Sequence, residues 1–512
     1  MPDTEPARGA FQPKLSGRET LAASAIVLVG LILRIRIAWI TYLNPDEASH
    51  ALWSFTGWRE MFRYSYQVDK HPPLLMYMTH LVLFLSRTDF ALRIIPLLCG
   101  TLFPIFMGIW LMRVAGKVAG ITALLLLTLT PHLVNVSAQL RSYTLAFLLL
   151  SLSLVAFEIA IDTGRWLPMV AFDVLLALCV CADYSMAWFA GSAGLYALMR
   201  LRGSPVAVKV TWAAGQIAPL IFYGALFWGN VRHIPTSAVA ENARSHWLSH
   251  GFPHHGTYLT FPFVNTGYQF IYVMASIPMG ILSVAMFAAG MYFLWAGRTN
   301  IRREKARPLA ILLTLPFLLG ILGGYAKIYP YGPSRHSLIV GIFAVCGVAV
   351  FLEFVPRPSR IPIAWAAAVP IVLWLSIPNP DGLDLPQSRN RKSQMLECLS
   401  YMHATIPPDA PIMTDRETLQ MLMFYEGSRR PPANMRKWFI ETPLANRWRI
   451  RTREYQFTSR PQFKSALAAF RKQYGMGADQ PVWILDGGFS VDAGPVDKQL
   501  PFTRAVRLFH TP

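Results

Sequence analysis

Long apolar runs constrain this chain more than any other feature. Residues 21–33, 121–129 and 145–157 carry no charged side chain, and similar stretches recur as far as residue 377. A membrane crossing needs about 20 largely apolar residues, and a water-soluble core could not hide this many. The composition agrees. The apolar set makes up 54% of the chain and charged residues 15%, against roughly 25% charged in soluble domains. A cytosolic enzyme and a nucleic-acid binder are therefore excluded, and a polytopic α-helical membrane protein is expected. Lys and Arg number 47 against 28 Asp and Glu, a net charge of +19. In a soluble protein that excess would suggest a polyanionic partner. Here basic residues gather at the ends of the apolar runs, as the positive-inside bias requires.

The pattern predicts about eleven spans, at 21–41, 91–112, 118–136, 143–161, 167–181, 184–199, 208–227, 268–295, 309–324, 337–354 and 363–377. The short apolar segment 74–85 is expected to lie at the membrane interface. Basic residues fall in alternate loops: Arg113 and Lys117; Arg165; Arg200, Arg202 and Lys209; Arg298 to Arg307; Arg357 and Arg360. With the N-terminus inside, all of these loops share the cytoplasmic side. The first run is too long for a cleavable signal, so residues 1–20 are expected to remain as a cytoplasmic tail. Residues 21–378 then form the transmembrane domain, with external loops 42–90 and 228–267, and residues 379–512 lie outside. This last region is polar. Its short apolar runs 411–414 and 481–485 read as buried strands, and 417–425 and 463–474 as helices, so a small external α/β domain is expected. Five cysteines, four of them in apolar stretches, form no readable disulfide framework.

The chemistry-bearing residues collect at the outer ends of the spans. Asn44-Pro45-Asp46-Glu47 follows the first span. Two adjacent carboxylates there suit either a solvated turn, a general base or a ligand for a hard cation. Of Arg34 and Arg36 in the same span, one can snorkel, while the other can face inward and hold an anion or Asp46. Asp69-Lys70-His71-Pro72-Pro73 leads into the interfacial segment, where Lys70 and His71 can meet lipid headgroups or a bound phosphate. Gln139 and Arg141 lie at the junction of spans three and four, just before Tyr143, and an arginine at that depth needs a partner or a wet cavity. Asp183 marks a further outer turn. Tyr331, Arg335 and His336 sit on a proline-constrained loop before span ten. The histidines at 246, 250 and 254 have helical spacing, but Gly251, Pro253 and Gly256 break the helix that would align them for zinc.

No phosphate loop, dinucleotide fingerprint, HExxH or GxSxG occurs. The outer motifs, in order, resemble the GT-C membrane glycosyltransferases of the protein O-mannosyltransferase and aminoarabinose-transferase type. The residues that carry the resemblance are Asp46-Glu47, His71-Pro72-Pro73-Leu74, Ala91-Leu92-Arg93-Ile94-Ile95-Pro96, Ser137-Ala138-Gln139-Leu140-Arg141-Ser142-Tyr143 and Arg335-His336. They span roughly residues 20–355. Two positions depart from the family pattern: Gln139 stands where an acidic residue is usual, and His336 where a tyrosine is common.

The resemblance implies an inverting transferase that moves a sugar from a polyprenyl phosphate donor to an envelope glycolipid, polysaccharide or protein on the external membrane face. It implies a multi-pass protein of the bacterial inner membrane. Asp46 would be the base, with Glu47 beside it. Lys70, His71, Arg141, Tyr143, Tyr331, Arg335 and His336 would bind the donor, supported by Arg34, Arg36, Asp69, Gln139 and Asp183. A divalent cation, Mg²⁺ or Mn²⁺, held weakly by Asp46 and Glu47 is the one cofactor left open, since Gln139 offers a neutral ligand. Two other readings stay open from the residues: a transporter or flippase of lipid-linked glycans, and a non-catalytic glycan-assembly protein.

Overall fold

The computed structural model describes residues 15–65, 71–229, 232, 244, 248–299, 301, 303–355, 392–407, 410–414, 416–426, 442–444, 448–452, 460–480, 482–486 and 503–507. Helix α1 (Gly17–Ile40) starts at a capping box in which Ser16 and Glu19 bind each other's backbone N–H groups. Short helices α2 (Pro45–Ser54), α3 (Trp58–Tyr64), α4 (Leu74–Val82) and α5 (Asp89–Leu92) follow. Nine-residue α4 is too short to span, and Leu81, Phe84 and Leu85 around its end stay exposed. The bundle continues with α6 (Ile94–Val114), α7 (Lys117–Leu129), α8 (Pro131–Ser137), α9 (Tyr143–Thr163), α10 (Trp166–Ala182), α11 (Met186–Arg200) and α12 (Val206–Gly229). It closes with α13 (Phe261–Met274), α14 (Ile277–Ala296), α15 (Arg303–Tyr325) and α16 (Leu338–Phe354). Small residues let backbones approach, as is usual between membrane helices. A Cβ built on Gly108 would lie 2.9 Å from the Gly120 carbonyl oxygen, and one on Gly120 2.7 Å from that of Gly108, so α6 and α7 touch at a point where only glycine fits.

The expected count of about eleven spans is corrected. Among the described residues seven helices are long and apolar enough to cross a membrane, or eight if α7 and α8 form one broken span. The third expected span is bent by 62° between α7 and α8. Pro131 at the first position of α8 explains the break, because a proline cannot continue the hydrogen-bond ladder of α7. The fifth and sixth become α10 and α11, of 17 and 15 residues. The eighth is two helices, α13 and α14, separated at Ala275, whose φ of 53° is left-handed. The eleventh, at 363–377, lies outside the described residues.

Charges at the basic-loop end pair across helices. Arg113 and Lys305 reach Asp162 at 3.4 and 3.9 Å, Lys117 reaches Glu19 at 2.8 Å, and Arg200 reaches buried Glu158 at 2.8 Å. The loops that alternate in sequence are therefore neighbours in space.

The C-terminal region holds α17 (Lys392–Thr405), α18 (Arg416–Tyr425), α19 (Arg460–Gln473) and strands β1 (Pro411–Thr414), β2 (Thr442–Leu444), β3 (Trp448–Thr452), β4 (Val482–Asp486) and β5 (Thr503–Arg507). The sheet order is β2-β3-β1-β4-β5. β1 pairs in parallel with β3 and β4, and β4 with β5, while the β2–β3 pair is antiparallel. Central β1 is buried at Ile412, Met413 and Thr414, which explains its unbroken apolar reading. This α/β unit packs α18 against α2, so it abuts the end of the bundle that carries the outer motifs.

Candidate active site

The sequence Asn-Pro-Asp-Glu is a helix start. Asn44 is the N-cap of α2, Pro45 occupies the first turn, and Glu47 completes a capping box with Asn44. This local geometry separates the two carboxylates. Glu47 points into the protein and is fully buried. Its Oε1 accepts from Arg93 Nε at 2.9 Å and the Leu140 N–H at 2.7 Å, and its Oε2 from Arg93 Nη2 at 2.9 Å and the Asn44 N–H at 3.1 Å. Arg93 also donates to the carbonyls of Ala38, Thr41 and Tyr42 at 3.0, 2.9 and 2.8 Å. This knot ties the end of α1, the start of α2, the entry to α6 and the turn before α9. Both oxygens of Glu47 take part in this knot.

Asp46, one residue earlier, faces the opposite way and forms an ion pair with Arg335. The side chains keep 43% and 28% of their surface open, so a ligand can reach both. Burial works against the charge of Asp46, but Arg335, Arg141 and His71 outweigh it and hold the carboxyl well below the usual carboxylate range. Arg141 Nη2 lies 3.5 Å from His71 Nε2. Two arginines and a histidine from distant parts of the chain thus surround one carboxylate.

Each cation is fixed by its local backbone. Arg335 opens a single 3₁₀ turn, Arg335–Ser337. The preceding loop is clamped by the Tyr331 N–H donating to the Gly251 carbonyl at 2.9 Å, by Asn265 Nδ2 donating to the Tyr331 carbonyl at 2.8 Å and by Ser337 Oγ donating to the Pro330 carbonyl at 2.8 Å. Arg141 sits in the tight turn after α8, where its N–H donates to the Gln139 carbonyl at 2.8 Å. The carbonyl of His71 accepts from Ser65 Oγ.

An aromatic wall borders the cations. The His336 ring meets Tyr143 and Tyr329 edge-on at 6.3 and 6.4 Å, and the Tyr329 hydroxyl donates to the His336 carbonyl at 3.0 Å. Asp183 is buried and accepts from the Ser185 N–H at 2.9 Å and from Ser142 Oγ at 3.4 Å. Burial, with Asp183 beside it, pushes the Tyr329 phenol well up. Tyr331 is set apart from this group, its hydroxyl 2.5 Å from Thr266 Oγ1. Gln139 is buried, and its Oε1 meets no hydrogen-bond partner among the described residues.

Other expected residues lie elsewhere. Arg36 is exposed. Arg34 does face inward, but its Nη1 donates to the carbonyls of Gly30 and Thr128 at 3.0 and 2.8 Å rather than to Asp46. Asp69, Lys70 and His246 lie outside the described residues. Sequence reasoning undervalued Arg93, read only as part of a motif, and did not single out Asp89 or Tyr425. A lone arginine between Leu92 and Ile94, at the entry to an apolar helix, was the available signal for the first. Asp89 and Tyr425, whose side chains lie 3.3 Å apart, gave none, because their meeting depends on how the C-terminal unit docks.

Among the described residues no three His, Cys, Asp or Glu side chains gather to hold a metal ion. Asp46 is faced by two guanidinium groups and an imidazole, and Glu47 is held by Arg93.

Comparison with known proteins supports the architecture. The pattern of the dolichyl-phosphate-mannose-protein mannosyltransferase family matches residues 70–228. No curated protein sequence matches the chain. The crystal structure of the Archaeoglobus fulgidus oligosaccharyltransferase tethered to an acceptor peptide superposes over 89% of this chain and 68% of that one, at 14% identity and a TM-score of 0.50. ArnT from Cupriavidus metallidurans in the apo state is 15% identical, over 80% of this chain and 85% of that one, with a TM-score of 0.49. The same oligosaccharyltransferase in complex with Zn and sulfate gives 12% identity over 79% and 61%, with a TM-score of 0.43. The chain is therefore a polytopic α-helical membrane protein with a GT-C-like fold and a small C-terminal α/β extension.

Proposed function

We propose that the chain is an inverting glycosyltransferase that moves a sugar from a polyprenyl phosphate to a hydroxyl acceptor of the cell envelope. The observation that carries the reading is the open Asp46–Arg335 pair flanked by Arg141 and His71. A base alone, or a phosphate site alone, would need only half of this cluster. In the proposed reaction the donor phosphate takes up Arg335 and Arg141, which loosens Arg335 from Asp46. The freed carboxylate accepts the acceptor's hydroxyl proton as that oxygen bonds to the anomeric carbon. The bond from the anomeric carbon to the phosphate oxygen breaks in the same displacement. Polyprenyl phosphate leaves with the electron pair, its growing negative charge met by the two arginines. No carboxylic acid is needed on the leaving side, unlike the paired carboxylates of glycoside hydrolysis.

In this reading the cluster lies at the external face of a bacterial inner membrane, with the N-terminus cytoplasmic and the α/β unit periplasmic. The polyprenyl chain runs along the apolar surface near α4. The acceptor is an envelope glycolipid, polysaccharide or protein. Mass spectrometry of envelope glycolipids and glycans from a deletion strain beside its parent tests the function. Loss of one sugar from one acceptor is expected, and identical glycan profiles would sink the reading.

Arg335→Ala removes a charged hydrogen-bond donor worth about 1.5–3 kcal/mol. Affinity for undecaprenyl phosphate should fall roughly ten- to a hundredfold, measured by titration of purified protein in nanodiscs. The same change removes the main cation holding Asp46 ionised, so the acid limb of kcat/KM should move to higher pH. Unchanged lipid binding would take Arg335 out of the phosphate site.

A further inference from the structure

The base of the proposed reaction is anchored from two sides, and only one of them belongs to the membrane bundle. Inside is the Glu47–Arg93 knot. Outside is Tyr425, the last residue of α18 in the C-terminal unit. Its hydroxyl oxygen accepts the Leu43 N–H at 2.9 Å and donates to Asp89 Oδ2 at 3.3 Å. Lys392, at the start of α17, holds the other oxygen of Asp89 at 2.8 Å. Leu43 directly precedes the N-cap Asn44, and Asp46 lies in the first turn that this cap begins. Burial, with Asp89 nearby, pushes the Tyr425 phenol up, so it keeps its proton and its place as donor at neutral pH.

The position of this contact matters. Leu43 and Asn44 are the last two of the four residues, 41–44, between the end of α1 at Ile40 and the start of α2 at Pro45. A backbone N–H here has no strand or helix ladder to satisfy it. The acceptor comes from a residue 382 positions later in the chain. A tyrosine that accepts from the backbone and donates to Asp89 links α18, α5 and the cap of α2 through one oxygen, and Lys392 of α17 joins the same group at Asp89.

We infer that Tyr425 is a positioning residue through which the docked C-terminal unit holds the first turn of α2, and with it Asp46, against Arg335. This rests on the proposed transferase reading for its consequence in turnover, but the link itself is a property of the fold. It gives the C-terminal unit a part in the reaction without contact to the reacting atoms. Whatever moves α18, including an acceptor bound to the α/β unit, moves the base.

Tyr425→Phe tests it, because the ring stays in place and only the hydroxyl is lost. Full-length protein in nanodiscs is followed by hydrogen–deuterium exchange. Amides in 42–48 should exchange about five- to tenfold faster, the worth of one lost hydrogen bond, with 100–112 and 143–161 unchanged. Undecaprenyl phosphate should bind within about twofold of wild type. Where the donor sugar is known, kcat should fall about five- to tenfold while KM for the donor holds. Lys392→Met, which leaves the Leu43 contact intact, should move both readouts in the same direction by less. Unchanged exchange in 42–48, faster exchange everywhere, or a kcat equal to wild type with altered exchange would each overturn the positioning role. Wild-type protein that transfers no polyprenyl-linked sugar would sink the transferase reading, and the exchange result would still decide the link.

Discussion

Asp46→Asn should leave a protein that inserts normally, binds undecaprenyl phosphate within a few-fold of wild type and loses about a hundredfold or more in transfer rate, roughly 2.7 kcal/mol of transition-state stabilisation. The expectation follows from the way the site divides its work. Asn keeps the size of Asp and most of its hydrogen bonding, so α2 retains its cap. What disappears is the charge that takes the acceptor's proton. Binding is expected to hold because Arg335, released from the ion pair, is left freer to meet the phosphate. Indeed, lipid affinity should rise slightly rather than fall. Single-turnover transfer and lipid titration on the same preparation separate these two effects. Wild-type transfer by D46N would remove Asp46 as the base, and another group would have to be sought within reach of Arg335.

Arg93→Ala should have the largest effect on stability. The substitution leaves Glu47 as a buried carboxylate without its main cation, and strips a donor from the carbonyls of Ala38, Thr41 and Tyr42. Removing one partner of a buried ion pair costs about 3–5 kcal/mol, a large share of the 5–15 kcal/mol that typically holds a domain folded. Most of the variant should fail to accumulate as a monodisperse species in detergent, and the remainder should melt well below wild type by fluorescence-detected size exclusion. Glu47→Gln keeps several of the hydrogen bonds and removes the charge, so its loss should be smaller. A melting curve for R93A that overlays wild type would mean that the knot is redundant.

The helical positions were legible because apolar composition dictates them directly. α1, α6, α9, α12 and α16 begin and end within a few residues of the expected spans. The count of spans was not legible, since hydropathy reports how apolar a stretch is and not whether its axis continues. The bend at Pro131 and the left-handed Ala275 fall inside runs that read as continuous. Among the candidate residues, Asp46, Arg141, His71 and Arg335 do come together. Their shared position at span ends was visible in the sequence, and bundle packing converts that into proximity. The opposite fates of Asp46 and Glu47 were hidden. They depend on which side of a first helical turn each residue occupies, and on an arginine 46 positions away.

The bend between α7 and α8 gives the buried arginine of the first helix its place. A helix that stops within a bilayer leaves its last carbonyls without donors, and its C-terminal end carries partial negative charge. The Thr128 carbonyl belongs to that last turn, and Arg34 Nη1 donates to it at 2.8 Å. Arg34 thus acts as a C-terminal cap supplied by a neighbouring helix, with a peptide dipole as its counter-ion in place of a carboxylate. Arg34 thereby ties α1 to the end of α7 and is spent on that contact, so it is Arg335 and Arg141 that face Asp46.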